Sequence, residues 1–328
     1  MKRTMLAALL IGRLASAAAE ENAGEPSALA CNDFRAGASR TLASAPDTVQ
    51  VNNLLFEASR KGCVGALDAL FKAGASRLAR DRAGNTALAI AAKMGRLPVV
   101  KALLDSAAPG DAPQLDRANA EGSTPLIEAA SADRGEVAKW LVGAGAAGGR
   151  RTPRGGARPG PDVGAINKRG ETALSAAAFN ADAELASLLL AHKARPDTVD
   201  VTGKGVMVYA AARGAAPIAA MLLDAGVDPN ARYRADLTAL MWAAGHPDNT
   251  RADAALRTVE LLLSRGAKVD LVDDRGRDAL MIAAGLGHAE IAKVLLDAGA
   301  DRTRRDKTGK SAIDLATAPE VKAVLAGP

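Results

Sequence analysis

Asp273–Ala300 reads DDRGRDALMIAAGLGHAEIAKVLLDAGA, and its pattern decides the fold. Asp274-Arg275-Gly276 forms a turn in which glycine accepts a left-handed backbone without a Cβ clash. Asp278 follows, a residue type that accepts from the orphan amides at a helix start. Ala279, Leu280, Ile282, Ala283 and Ala284 then give a short helix an apolar face. Gly287-His288 opens a second helix, whose buried stripe is Ile291, Val294, Leu295 and Leu296, and Gly299 stops it. Neither helix carries enough apolar surface to stand alone, so the unit must stack on copies of itself.

The copies are present. Aligned on Asp278, the chain gives Asn53, Thr86, Thr124, Thr172, Gly205, Thr238, Asp278 and Ser311, at offsets of 33, 38, 48, 33, 33, 40 and 33. One period, broken only upward, means a repeated module with loop insertions. Two positions on sit Leu55, Leu88, Leu126, Leu174, Met207, Leu240, Leu280 and Ile313. Small pairs such as Ala91-Ala92, Ala129-Ala130 and Ala243-Ala244 follow, allowing close approach of helices. Thr124-Pro125 places proline at the first helical position, where its missing amide costs nothing.

The stretches NTALAIAAKMGRLPVVKALL, STPLIEAASADRGEVAKWLV, ETALSAAAFNADAELASLLLAHKA, LTALMWAAGH and RDALMIAAGLGHAEIAKVLLDAGADRTRRDKTG resemble the ankyrin repeat family, specifically a bacterial, exported member. The resemblance runs from about Asn53 to the C-terminus. It implies an all-α solenoid of stacked helix-turn-helix units in an L-shape, with projecting hairpin loops and a concave face that binds protein. One departure stands out. Where the family commonly has a histidine bonded to the capping threonine, this chain has Ala89, Ile127, Ser175, Val208, Met241, Met281 and Asp314. The caps are therefore expected to rely on Thr–backbone bonds alone, with some loss of rigidity.

The sequence divides into a signal peptide at 1–19, an N-terminal extension with a capping helix at 20–52, and a repeat domain of about eight units at 53–328. Lys2 and Arg3 form a positive n-region, Met5–Ile11 an apolar run, and Ala17-Ala18-Ala19 a small-residue cleavage site, with Arg13 interrupting the run. The alternative is an amphipathic N-terminal helix. The run is too short to span a bilayer, so no transmembrane segment is expected in the mature chain. Removing the leader lowers the formal net charge from +5 to +2, which gives no basis for nucleic-acid binding. The location expected is the periplasm or outside the cell, or the cytoplasm if the leader reading fails. Aromatics are only 2% of residues, which suits a core of many small contacts and disfavours an aromatic cofactor pocket.

Cys31 and Cys63 are the only cysteines. In an exported chain this pair is compatible with a disulfide that clips the capping helix (28–42) onto the first repeat. Such a bridge closes a loop of about 30 residues and contributes about 2–4 kcal/mol. The alternative is two inert thiols. Phe56 and Phe71 are expected to close the end of the stack.

The largest insertion, at 145–166, is rich in Gly and Pro and carries Arg150, Arg151, Arg154 and Arg158 against one acid, Asp162. Four guanidinium forks suit a carboxylate- or phosphate-bearing partner, such as anionic lipid or polysaccharide. The plainer reading is a solubilising loop. A second candidate surface is the row of hairpin tips, Arg169, Lys204, Arg234, Arg275 and Lys307, interspersed with Asp200 and Asp274. Among the scarce aromatics, Tyr209 lies beside these turns, Tyr233 is in a turn and is the contact candidate, Trp242 is assigned to core between units, and Trp140 to packing. His192, His246 and His288 lie in different units without metal-ligand spacing. No serine has a nucleophile elbow. GKGVMVY and RRDKTGKS lack the strand–loop–helix context of a phosphate loop. The chain therefore reads as a non-enzymatic scaffold without a cofactor, monomeric alone, that binds a protein partner still to be identified.

Overall fold

The computed structural model describes residues 28–105, 114–146, 160–246 and 250–327. Signal segment 1–19 and Arg150, Arg151, Arg154 and Arg158 of the large insertion lie outside them. The described residues fall into two compact units, the first made of 28–120 and 124–160, the second of 121–123 and 161–327. Regular structure among them is helical, with one isolated β-bridge between Val199 and Gly205.

The first unit contains α1 (Ala28–Ala43), α2 (Thr48–Lys61), α3 (Leu67–Lys72), α4 (Ala87–Lys93), α5 (Leu97–Asp105), α6 (Pro125–Ser131) and α7 (Gly135–Ala146). The second contains α8 (Ala173–Asn180), α9 (Ala183–Ala191), α10 (Val206–Ala212), α11 (Ala216–Asp224), α12 (Ala239–Ala244), α13 (Ala252–Ser264), α14 (Ala279–Leu286), α15 (Ala289–Asp297), α16 (Ala312–Leu315) and α17 (Pro319–Ala326). First helices pack on first helices: α2, α4 and α6 in one unit, and α8, α10, α12, α14 and α16 in the other. Second helices do the same. Leu88, Leu126, Leu174, Met207, Leu240 and Leu280 are all buried, as are the alanine pairs beside them. Ile313 departs from that column and is 41% exposed, because α16 is a single short turn.

The caps follow the repeat. Thr86, Thr124, Thr172 and Thr238 each accept from the backbone N–H three residues on, at 3.0–3.4 Å. Asp278 accepts from Met281 N at 2.9 Å. The expectation that these caps rely on bonds of the capping side chain to the backbone alone needs correction at two repeats. Ser175 Oγ accepts from Thr172 N at 2.9 Å, and Asp314 Oδ2 accepts from Ser311 N at 2.9 Å. Both are reciprocal boxes, so the residue that replaces the histidine restores a second bond there.

The boundary at 52/53 also needs correction, since it falls inside α2. Asp47 Oδ1 accepts from Gln50 N, and Gln50 Oε1 accepts from Asp47 N, so the helix is capped six residues before Asn53. Cys31 and Cys63 are joined, their Cα atoms 5.3 Å apart, which ties α1 to the turn after α2. Phe34 and Phe56 are buried against this corner, and Arg77 lies 3.9 Å over the Phe71 ring.

Candidate functional site

Each hairpin finger is built by one side chain. Asp81, Asn167, Asp200, Asp273 and Asp306 occupy matching positions, and the Oδ1 of each accepts from backbone N–H groups two and four residues on, at 2.7–3.1 Å. A glycine three residues after each takes a positive φ and closes the turn. In the second unit the tips are joined by single backbone bonds: Val201 N to Arg169 O, Arg234 N to Gly203 O, Asp274 N to Ala235 O and Lys307 N to Arg275 O, at 2.9–3.0 Å. Such close stacking leaves little room. A Cβ on Gly170 would lie 2.7 Å from Asp200 Cα.

The row of tip cations is thus a real ladder, but its members differ in what they hold. Arg169 donates to Glu171 at 2.8 Å, Arg275 to Asp273 at 2.8 Å, and Lys307 to the Asp274 carbonyl at 2.7 Å. Lys204 instead stands 5.7 Å over the Trp242 ring, and Arg234 is exposed. Neither has a carboxylate partner among the described residues. The structure brings Lys204, Tyr233 and Arg234 together in one open cleft of about 300 Å³, completed by Gly203, Ala235, Leu237 and Trp242.

Tyr233 breaks the finger rule, standing where the other fingers have Asp or Asn. Without that staple, Ala235 and Asp236 take the positive φ values that glycine holds elsewhere. The Tyr233 ring lies against Gly205, where an added Cβ would overlap it. This explains why Gly205 alone among the aligned first helices has no cap side chain. Burial, with the Asp228 charge adding to it, pushes the Tyr233 hydroxyl up to about 12, so it stays a neutral donor at any ordinary pH.

Trp242 is half-buried and lines this cleft; the assignment to inter-unit core is corrected. Its indole Nε1 is buried and has no hydrogen-bond partner, an uncommon state for a core indole. Trp140 is half-buried with Lys101 5.8 Å over its ring.

Sequence reasoning missed the column that presents Trp242. Four residues after the cap stand Ala176 on α8, Tyr209 on α10, Trp242 on α12 and Ile282 on α14; Ala176 is buried and the other three are half-buried. Tyr209 donates its hydroxyl to Asp200 Oδ2 and meets Phe179 edge-on, with centroids 5.9 Å apart. Phe179 is 52% exposed, and Arg213 stands 5.5 Å from its ring. Phe179 stands outside this column, seven residues after its own cap, but its contact with Tyr209 extends the aromatic surface of Tyr209 and Trp242 into a third repeat, half-buried or exposed. In the first unit the same column holds Ile90 and Glu128, both buried, and the Glu128 carboxylate is taken by Lys93 at 3.0 Å and Asn119 at 2.8 Å. Both columns could have been found by counting from the caps.

His246 and His288 stack with centroids 3.9 Å apart, and His288 Nδ1 lies 2.8 Å from Ala244 O, a packing role. No group of three or more His, Cys, Asp or Glu that could hold a metal occurs among the described residues, and no described helix is long and apolar enough to cross a membrane.

Stacked helix pairs with bonded fingers define a helical repeat scaffold. The chain belongs to the ankyrin repeat family: the family described as Ankyrin repeats (3 copies) matches residues 51–151, 157–233 and 240–325. It is similar to Ankyrin repeat domain-containing protein 63 of Mus musculus, 40% identical over 27% of this chain and 22% of that protein. It is also similar to the B-cell lymphoma 3 protein homolog of Mus musculus, 31% identical over 53% of this chain and 36% of that one. A putative ankyrin repeat-containing protein of Treponema pallidum (strain Nichols) is 50% identical over 17% of this chain and 19% of its own length. The matched stretches span about a fifth to a third of these relatives. Ankyrin repeats form a non-catalytic scaffold whose domains generally mediate protein–protein interactions.

Proposed function

We propose that this chain is an exported bacterial interaction scaffold, monomeric alone, that docks a protein partner through the finger side of its second unit. The observation that carries this reading is the contrast between the two finger sides. In the second unit, aromatic rings stand half-buried or exposed beside Lys204, Arg213 and Arg234, none of which has a carboxylate partner among the described residues. The first-unit residues that match Tyr209 and Trp242 are Ile90 and Glu128, both buried, with the Glu128 carboxylate paired to Lys93. Partly exposed Tyr and Trp with nearby Arg match the residue types enriched at interface hot spots.

Export is supported by the charged and apolar N-terminal sequence and by the Cys31–Cys63 pair, since disulfides persist in oxidising compartments. A periplasmic or envelope location follows. The test is affinity capture from the envelope fraction with the intact mature chain as bait, washed at low and high salt. A protein retained in stoichiometric amount at high salt is expected, because an interface anchored by aromatic side chains survives screening. Recovery of salt-sensitive polyanions alone would contradict it, as would absence of the mature chain from that fraction.

A further inference from the structure

The geometry points to an acidic peptide segment as the occupant of the cleft between the Lys204 and Arg234 fingers. An apolar side chain of that segment sits against Trp242 and Leu237, and a neighbouring carboxylate is held by Lys204 and Arg234. This rests on the scaffold reading above and specifies the chemistry of its partner.

Size comes first. The cleft encloses about 300 Å³, at the lower end of the range for small-molecule sites, and it is open to the surface. That is room for one side chain of a longer ligand. Its walls are the Trp242 and Tyr233 rings and Leu237, all half-buried, so filling it removes apolar surface from water.

Charge comes second. Lys204 and Arg234 stand on adjacent fingers at the rim of the cleft. Asp200 is engaged by Tyr209 and Thr202, Glu171 by Arg169, and Asp236 lies 3.9 Å from Arg232, while Asp228 and Asp274 of the neighbouring turns form no ion pair with Lys204 or Arg234 among the described residues. Two cations beside an apolar pocket, with no ion-pair partner among the described residues, complement a carboxylate carried next to an apolar residue. Lys204 can donate to that carboxylate while remaining over the indole, because an ammonium has three donors.

The rest of the ladder decides against an extended polyanion. A phosphate backbone running along the tips would need free cations at each finger. Arg169 and Arg275 are held by the carboxylates of their own turns, and Lys307 by a carbonyl. Of these five ladder cations, only the central pair has no acceptor among the described residues, which fits one acidic residue better than a chain of phosphates.

The experiment selects short random peptides displayed on phage against the intact chain, then measures synthetic versions by fluorescence. In a Trp140→Phe chain the emission reports Trp242 alone. Enriched sequences are expected to place Asp or Glu beside a large apolar residue and to shift Trp242 emission saturably. Lys204→Glu with Arg234→Glu should weaken binding by at least about tenfold, while Lys101→Glu, in the first unit, leaves it unchanged. Lys204→Gln with Arg234→Gln serves if the charge reversal perturbs folding, which the thermal transition reports. Neutral or basic consensus sequences, no enrichment, or equal binding by the double variant would overturn the proposal. A protein captured by the intact chain and held equally by the double variant would overturn the cleft alone and leave the scaffold reading standing. Capture of no protein would remove the scaffold reading, whatever the peptides do.

Discussion

Gly205 and Tyr233 are two departures from the repeat that make sense only together. Gly205 gives up a helix cap, and the space is filled by the ring that Tyr233 carries in place of a finger's Asp. Gly205→Thr restores the consensus cap yet should lower stability by about 1–3 kcal/mol through overpacking. In a Tyr233→Ala background the same change should cost nothing or stabilise. Urea denaturation of the four proteins of this cycle reads the coupling, and equal costs in both backgrounds would refute it.

Asp306 and Asp200 of the fingers contribute to the acid limb of stability. The Thr308 hydroxyl, with the backbone N–H groups of Lys310 and Thr308, holds Asp306 well below the usual carboxylate range against a smaller opposing effect of burial. Burial would raise Asp200, but the Tyr209 hydroxyl and the N–H groups of Lys204 and Thr202 together lower it. For a carboxyl whose folded value lies below its unfolded one, the stabilisation is complete above about pH 4 and is lost as pH falls through the folded value. Stability should therefore drop below about pH 4. Asp306→Asn keeps the Oδ1 acceptor, as Asn167 shows in its own finger, and should flatten that drop when unfolding is followed against pH. An unchanged slope would contradict the assignment. The cap column was legible in the sequence because one local turn fixes it. The Gly205–Tyr233 pairing was not, because its partners lie in successive repeats and meet only through finger stacking.

At the scale of elements, the helix pairs and their period were readable because each unit repeats the same cap, leucine and small-residue pattern. The start of the first unit was misplaced for want of that pattern. Its true signal, Asp47 followed three residues later by Gln50, is a capping box of a different spelling. The Cys31–Cys63 bridge spans 32 residues and fastens α1 to α2. Replacing both cysteines with serine should cost about 2–4 kcal/mol. Hydrogen exchange should report faster opening of α1 and α2, with α14 and α15 unchanged. Identical exchange at α1 in both proteins would show that the bridge contributes nothing to holding it.

At the scale of the molecule, sequence reading found the ladder of tip cations and could not rank its rungs. Arg169, Lys204, Arg234, Arg275 and Lys307 look alike in one dimension. What separates them is whether an acceptor stands within reach, and that depends on how each tip closes. Trp242 was assigned inward for the same reason, since a tryptophan on a short apolar helix has no one-dimensional mark of the face it takes. The surface that remains, aromatic and cationic over three repeats of the second unit, is the central claim. Its most direct test is hydrogen exchange of the intact chain with and without the partner captured from the envelope fraction. The account predicts protection at 200–204, 233–237 and the first turns of α10 and α12. Protection confined to α9, α11 and α13, with those fingers unchanged, would contradict it.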